Sequence, residues 1–369
     1  MTMETALPSE KEVLAALATC QEPELHKDIV SLGMIQNLSV AGSTVSFDYV
    51  LTTPACPLKA MMEEEARAAV KKVPGVTEVH IRMTASVKKD PRLESVLPPG
   101  IKNIVAVGAG KGGVGKSTVA SSLALSLALD GAKVGLMDAD IYGPNQPQMM
   151  GIADLDPEVG AEKKIIPPIA FGVKVMSMGF LMEQDSPVIW RGPMLHSAVT
   201  QFLKDVVWGD LDYLIIDLPP GTGDVQLSLC QSVPLAGAVL VTTPQTIALS
   251  DVRKAAAMFE KLKVPLLGVV ENMGSFACPH CQKVSDIFSE GAGRVVSEKY
   301  GIPILGNILL DPAVCQAGES GRPLVIAHPD SATAQSFRSL AQQVAARVSV
   351  ISSRIKPLEI KMTAASAAS

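Results

Sequence analysis

The chain changes texture near residue 100, and apolar positions follow different rules on its two sides. N-terminal of that point the periodicities are short and mixed. Ser9-Glu10-Lys11-Glu12 has the form of a capping box, in which a hydroxyl and a carboxylate satisfy each other's backbone N–H, and it predicts a helix through Leu17. Two stretches with strand character, 34–40 and 44–51, flank Ala41-Gly42-Ser43, which reads as a turn. Residues 58–73 have helical spacing and end at Pro74-Gly75, after which Val76, Val79, Ile81 and Met83 suggest a last strand. Helix, two strands, helix, strand is a small α+β domain, placed at 8–86.

From Ile101 onward the strands are continuous apolar runs, at 104–107, 133–137, 213–216, 238–241 and 266–270, and helical segments alternate with them. Unbroken apolar strands between helices predict an α/β domain over 101–355 with a mostly parallel sheet covered on both faces. Residues 87–100, VKKDPRLESVLPPG, are polar and rich in proline and read as a linker. Residues 356–369 end in small and polar side chains and are expected to be a disordered tail. No internal repeat interrupts this plan.

Composition narrows the function classes. Hydrophobic residues make up 47% of the 369, enough for a sizeable core. The formal net charge of −5 disfavours a nucleic-acid binder that relies on counterion release, and 4% aromatics disfavours base stacking. No apolar run approaches the ~18 residues of a membrane span. The acidic N-terminus has no signal-peptide core, so a cytoplasmic location is expected, with no membrane or nucleic-acid partner. In that compartment Cys20, Cys56, Cys230, Cys278, Cys281 and Cys315 are thiols or metal ligands.

The densest chemistry lies in GKGGVGKST at 110–118, between an expected strand and an expected helix over 116–129. That is the setting a P-loop needs. Gly110, Gly112, Gly113 and Gly115 let backbone N–H groups, with those of Lys111 and Val114, turn inward around phosphate oxygens, and the helix N-terminus from Lys116 to Thr118 adds its positive dipole end. Lys116 is expected to reach the β- and γ-phosphates of ATP, and the Ser117 hydroxyl to bind Mg²⁺. LIID at 214–217 is an apolar strand ending in a carboxylate, which places Asp217 to hold the same Mg²⁺. GLMDAD at 135–140 ends another strand with Asp138 and Asp140, at the sheet edge where ligands of open α/β sheets sit. Cys278-Pro279-His280-Cys281 is a CxxC whose thiolates converge on one soft centre. By itself it fits a redox pair, half a zinc site or half an iron–sulfur site, and His280 reads as a loop residue.

Taken together, GAGKGGVGKST, DADIYGPN (138–145), WRGPM (190–194), IIDLPPGTGDVQLSL (215–229) and ENMGSFACPHC (271–281) resemble the Mrp/ApbC family of iron–sulfur carrier ATPases, relatives of MinD and the nitrogenase iron protein. The resemblance implies a P-loop NTPase of the deviant Walker A class, in which Lys111 crosses a homodimer interface to the partner's nucleotide. It implies that Asp140 orients the attacking water, that Asp138 supports the Mg²⁺ shell, that 219–224 senses the γ-phosphate, and that Asn272 reads adenine. In such a dimer two CxxC pairs make a four-thiolate site for a [4Fe–4S] cluster, received from a donor scaffold and passed to recipient apoproteins. EPELHKDIVSLGMI (22–35) and LTTPACPLK (51–59) resemble a small iron–sulfur assembly domain, with Cys56 as a possible further cluster contact. Two other readings stand beside this one. A positioning ATPase of the MinD/ParA kind would need an amphipathic terminal helix for a membrane, but Phe337, Leu340, Val344 and Val348 look like a core-packing face. A zinc-stabilised metal-insertion ATPase would use the same thiolates.

Overall fold

The computed structural model describes residues 7–94, 96–160, 163–181, 192–278, 281, 283–288 and 291–355. Trp190, Arg191, His280 and the tail 356–369 lie outside these residues.

The N-terminal elements are α1 (Glu10–Leu17), β1 (Ile35–Ala41), β2 (Thr44–Leu51), α2 (Lys59–Lys71) and β3 (Glu78–Ala85). The capping box at Ser9 and Glu12 is formed, with both reciprocal hydrogen bonds. The strands are ordered β1-β2-β3, and α1 and α2 contribute Val13, Leu17, Met62, Ala66 and Val70 to a closed apolar core with Val45, Phe47 and Tyr49. Gly42, at φ +63°, turns the chain between β1 and β2, where an L side chain would be strained.

The second sheet has nine strands among the described residues. They are β4 (Ile101–Ala109), β5 (Val134–Asp138), β6 (Ile169–Ala170), β7 (Val173–Ser177), β8 (Leu211–Asp217), β9 (Gly237–Thr242), β10 (Leu266–Ala277), β11 (Val284–Asp286) and β12 (Ile304–Leu310). Their order is β6-β7-β5-β8-β4-β9-β10-β11, with β12 also on β10; only β6 and β11 pair antiparallel. This is the mostly parallel sheet that the apolar runs predict. Continuous burial of β4, β5, β8 and β9 follows from helices on both faces. α3 (Lys116–Leu129) and α11 (Ala332–Arg354) cover one face, whereas α5 (Gly192–Asp205), α6 (Asp224–Ser232), α7 (Thr246–Lys261) and α8 (Ala292–Tyr300) cover the other. Between these helices lie the short α4 (Gln146–Met149), then α9 (Pro312–Glu319) and α10 (Leu324–Ala327). Phe337, Leu340, Val344 and Val348 of α11 are all buried in the core beside α3. No helix among the described residues is long and apolar enough to cross a membrane.

The N-terminal unit meets the sheet at the edge where the parallel strands begin. Thr53 and Ala55, in the loop before α2, are buried, and the Tyr213 hydroxyl near the start of β8 donates to Thr53 Oγ1 at 3.0 Å. The segment between the two sheets is held at the same edge, where Asn103 Nδ2 donates to the Lys88 carbonyl and Asn103 Oδ1 accepts from Ser352 Oγ. The ends of the parallel strands, at the opposite edge, carry the chemistry.

Candidate functional site

The loop 110–115 leaves β4 and enters α3 with two glycines in the left-handed region, Gly113 at φ +77° and Gly115 at φ +79°. Gly115 is the N-cap of α3 and offers no side-chain cap, so the first N–H groups of the helix are left for an outside acceptor. A Cβ on Gly110 would fall 2.1 Å from the Asp251 carbonyl carbon, and one on Gly115 would fall 2.2 Å from Asn272 Nδ2. Glycine is therefore required by packing at position 110, and by both its left-handed conformation and the nearby amide at position 115. Gly112 and Gly113 face open space. Val114 is buried, whereas Ser117 and Thr118 are half-buried at the first turn of α3. Lys111 is half-buried on the loop and forms no ion pair within the described residues.

Lys116 is 6% exposed and turns into the sheet edge. Its ammonium contacts Asp217 Oδ1, lies 3.4 Å from Asp140 Oδ2, and reaches Ser117 Oγ at 3.3 Å. Asp217 and Asp138 sit side by side on paired strands, both wholly buried. Asp138 accepts from the Asp140 N–H (3.0 Å), the Gln146 N–H (3.2 Å) and the Ser177 hydroxyl (2.9 Å). Burial, and then the neighbouring Asp217 charge, push the Asp138 carboxyl well above the usual carboxylate range. Burial also raises Asp140, against the pull of Lys116. Asp140 Oδ1 is buried with no hydrogen-bond partner among the described residues. The site thus offers hard oxygen donors, one of them an acceptor without a donor, beside open glycines and helix N–H groups. That set fits a nucleoside triphosphate with Mg²⁺.

The other expected residues fall into place differently. Asn272 is buried in the middle of β10, and its Nδ2 donates to the Val114 carbonyl at 2.9 Å. In this conformation the amide nitrogen fixes the P-loop backbone, beside the site where it is expected to read adenine. Cys278 and Cys281 lie at the tip of the hairpin formed by β10 and β11, beyond the sheet edge that carries the P-loop; the Cys278 N–H donates to the Lys283 carbonyl at 3.1 Å, and Cys281 is exposed. No three His, Cys, Asp or Glu side chains among the described residues come together as a metal site. A four-thiolate centre on this hairpin therefore needs ligands from another chain. Cys56 is not near it. Its loop docks at the start of the strands, and following the register from Tyr213 across to β10 puts the two sites on the order of 40 Å apart at ~3.3 Å per residue. Burial raises the Cys56 thiol, whose Sγ lies 4.0 Å from Met62 Sδ. Burial pushes Cys230 up to about 12, as befits a packed helix residue.

Two residues of the site were not read from sequence. Ser177, at the end of β7, donates to Asp138 and accepts from the Gly179 N–H. Gln146, the first residue of α4, is wholly buried among Ser117, Asp138 and Asp217. Its only sequence signal is its position six residues after Asp140, before a proline.

Comparison with known proteins agrees with this geometry. The NUBPL iron-transfer P-loop NTPase family matches residues 100–345, and the iron–sulfur cluster assembly protein family matches residues 10–81. The iron–sulfur cluster carrier protein of Deinococcus radiodurans is 50% identical over 340 residues, covering 92% of this chain and 95% of that one. The carrier protein of the same description from a Synechocystis species is 48% identical over 343 residues, covering 92% and 97%. A nucleotide-binding protein from Archaeoglobus fulgidus, solved with ADP, is 39% identical with a TM-score of 0.55, covering 63% of this chain and 90% of that one.

Proposed function

The chain belongs to the iron-transfer P-loop NTPases, and we propose that it carries an iron–sulfur cluster to recipient apoproteins, with ATP as the switch. The observation that carries this reading is the placement of the Cys278–Cys281 hairpin at the same sheet edge as the P-loop, Asp140 and Asp217. A change at the nucleotide and a change at the cargo site then act on one surface.

That surface suits a second copy of the chain. Tyr142 is 78% exposed after β5, and Ile247 is 80% exposed at the start of α7. Val284 and Ile287 are exposed beside the CxxC. Tyr142 and Ile247 follow strand ends, as Lys111 does, and Val284 and Ile287 flank the hairpin that carries the CxxC. A homodimer through this edge would bury them, bring Lys111 to the partner's nucleotide, and join two CxxC pairs into a Cys₄ site for a [4Fe–4S] cargo. The division into a small domain at 8–86, a linker and an ATPase domain at 101–355 is part of the same proposal.

At the nucleotide site Lys116 exchanges the carboxylates for phosphate oxygens. Ser117 and Asp217, with Asp138 behind them, would hold Mg²⁺, which would supply charge neutralisation on the phosphates. Asp140, whose Oδ1 has no donor, accepts a hydrogen bond from the attacking water. Hydrolysis is slow in this scheme, since a switch need not turn over quickly.

The test is anaerobic reconstitution with iron and sulfide, followed by transfer to an apo-acceptor. The expected result is visible charge-transfer absorption that requires Cys278 and Cys281, and delivery that responds to ATP. Tightly held zinc without that absorption would establish the metal-insertion reading instead.

A further inference from the structure

Gln146 makes contacts that no phosphate-binding motif demands. Its backbone N–H donates to Asp138 Oδ2, and its side-chain Nε2 donates both to the Ser117 carbonyl and to Asp217 Oδ2, each at 2.9 Å. The amide orientation is fixed by chemistry: a carbonyl and a carboxylate, both acceptors, face the nitrogen, so the oxygen must point the other way. That oxygen, Oε1, is buried with no hydrogen-bond partner among the described residues. A buried acceptor without a donor is costly. The arrangement is therefore one in which the Nε2 bonds to Asp217 and Ser117 hold a side chain in a place that does not satisfy it.

Ser117 and Asp217 are the two residues expected to hold Mg²⁺. We propose that Gln146 is a latch on the metal carboxylate. In the nucleotide-free state it engages Asp217 and the Ser117 backbone. When Asp217 turns to Mg²⁺, it gives up Gln146, and the segment from Ile141 to Gln146 is loosened by the loss of one of its three ties to the site. That segment begins next to Asp140 and carries the exposed Tyr142, so its release alters the face offered to a second copy. A bond present only in the nucleotide-free state lowers the apparent affinity for whatever breaks it. Gln146 is thus a positioning residue acting through Asp217, and its contribution is specific to the metal. The proposal rests on the ATP-switch reading above but not on the cluster.

The experiment titrates a fluorescent ATP analogue into the full-length protein with Mg²⁺ and with EDTA, and follows backbone hydrogen exchange of residues 141–149. Gln146→Leu keeps the volume and removes the amide. It is expected to tighten binding with Mg²⁺ three- to tenfold and to leave binding in EDTA within twofold of wild type. In the wild type, exchange of 141–149 should quicken with Mg²⁺ and ATP but not with ATP and EDTA; in the variant it should be fast from the start. Gln146→Glu, which keeps the length and sets a second carboxylate beside Asp217, should steepen the Mg²⁺ dependence and serves if the leucine variant folds poorly. Equal affinities in wild type and both variants with Mg²⁺, or a segment that responds to ATP alike with and without Mg²⁺, would overturn the latch. The nucleotide-free exchange comparison reads Gln146 even if the wild type bound no ATP, an outcome that would instead remove the switch reading.

Discussion

The Lys116 ammonium lies 3.4 Å from Asp140 Oδ2 and also contacts Asp217, so without nucleotide the P-loop lysine neutralises the acidic ends of two strands. In the proposed function it would exchange these carboxylates for the phosphates of ATP. Lys116→Ala should weaken ATP binding roughly tenfold or more, about 1.4 kcal/mol at the least. It should also lower the stability of the nucleotide-free protein by about 3 kcal/mol or more, because removing one member of a buried pair strands the other. Titration of a fluorescent nucleotide and denaturant unfolding read the two effects separately. Weaker binding at unchanged stability would mean that the carboxylate contacts contribute nothing.

The pH dependence of stability follows from Asp138. Its carboxyl is raised by burial and by the Asp217 charge, so the folded state holds the proton more tightly than the unfolded chain. The folded state then binds more protons in the window above the ordinary carboxylate range, and stability must fall as pH rises through that window. Thermal unfolding of the nucleotide-free protein should show this decline, and Asp138→Asn, although destabilised by a mismatched amide among three donors, should show a flatter profile. A variant with the wild-type slope would place the effect on other groups.

Asn272 supports the loop from behind. Asn272→Ala leaves the Val114 carbonyl without its donor and should cost about 1–3 kcal/mol. ATP affinity should fall as the loop loses its fixed shape, while Gly115→Ala, with a Cβ driven onto the Asn272 amide, should bind worse still. Calorimetry and nucleotide titration check both. If Asn272→Ala bound ATP like wild type, the loop would hold its form without this bond.

What the sequence reveals here depends on how local each signal is. The P-loop was legible because strand, glycines, lysine and helix are consecutive, and each residue type has a stereochemical reason at its position. Asp217 and the CxxC were legible for the same reason: an apolar run ends in one, and a hairpin presents the other. Gln146 was not, because its partners come from residues 117, 138 and 217, which meet only once two strands and the helix α3 have come together. The bond from the Asn272 amide to the Val114 carbonyl was not legible either, since nothing along the chain says which way a buried amide faces. The position of Cys56 was likewise hidden. Its own motif is local, but the sheet edge its loop docks on is set by contacts with Tyr213, far along the chain.

That docking contact yields the last prediction. The Tyr213 hydroxyl and Thr53 Oγ1 are both buried, and Thr53 Oγ1 also accepts from the Ala55 N–H at 3.3 Å, so Tyr213→Phe removes one bond without leaving Thr53 bare. The expected loss is about 1 kcal/mol. It falls on the joint between the small unit and the sheet, not on either core, because phenylalanine keeps the ring in the core between the sheet and α3. A shift of that size should raise the undocked population roughly fivefold, and trypsin should cut faster after Lys88 and Lys89 by a similar factor. ATP binding should be unchanged, since the strand ends that carry Lys116 and Asp217 lie at the opposite edge. Cys56 should become more reactive to a thiol reagent in step with proteolysis, because it lies on the loop that is released. Faster cleavage with unaltered Cys56 reactivity would show that the linker opens while the loop stays docked.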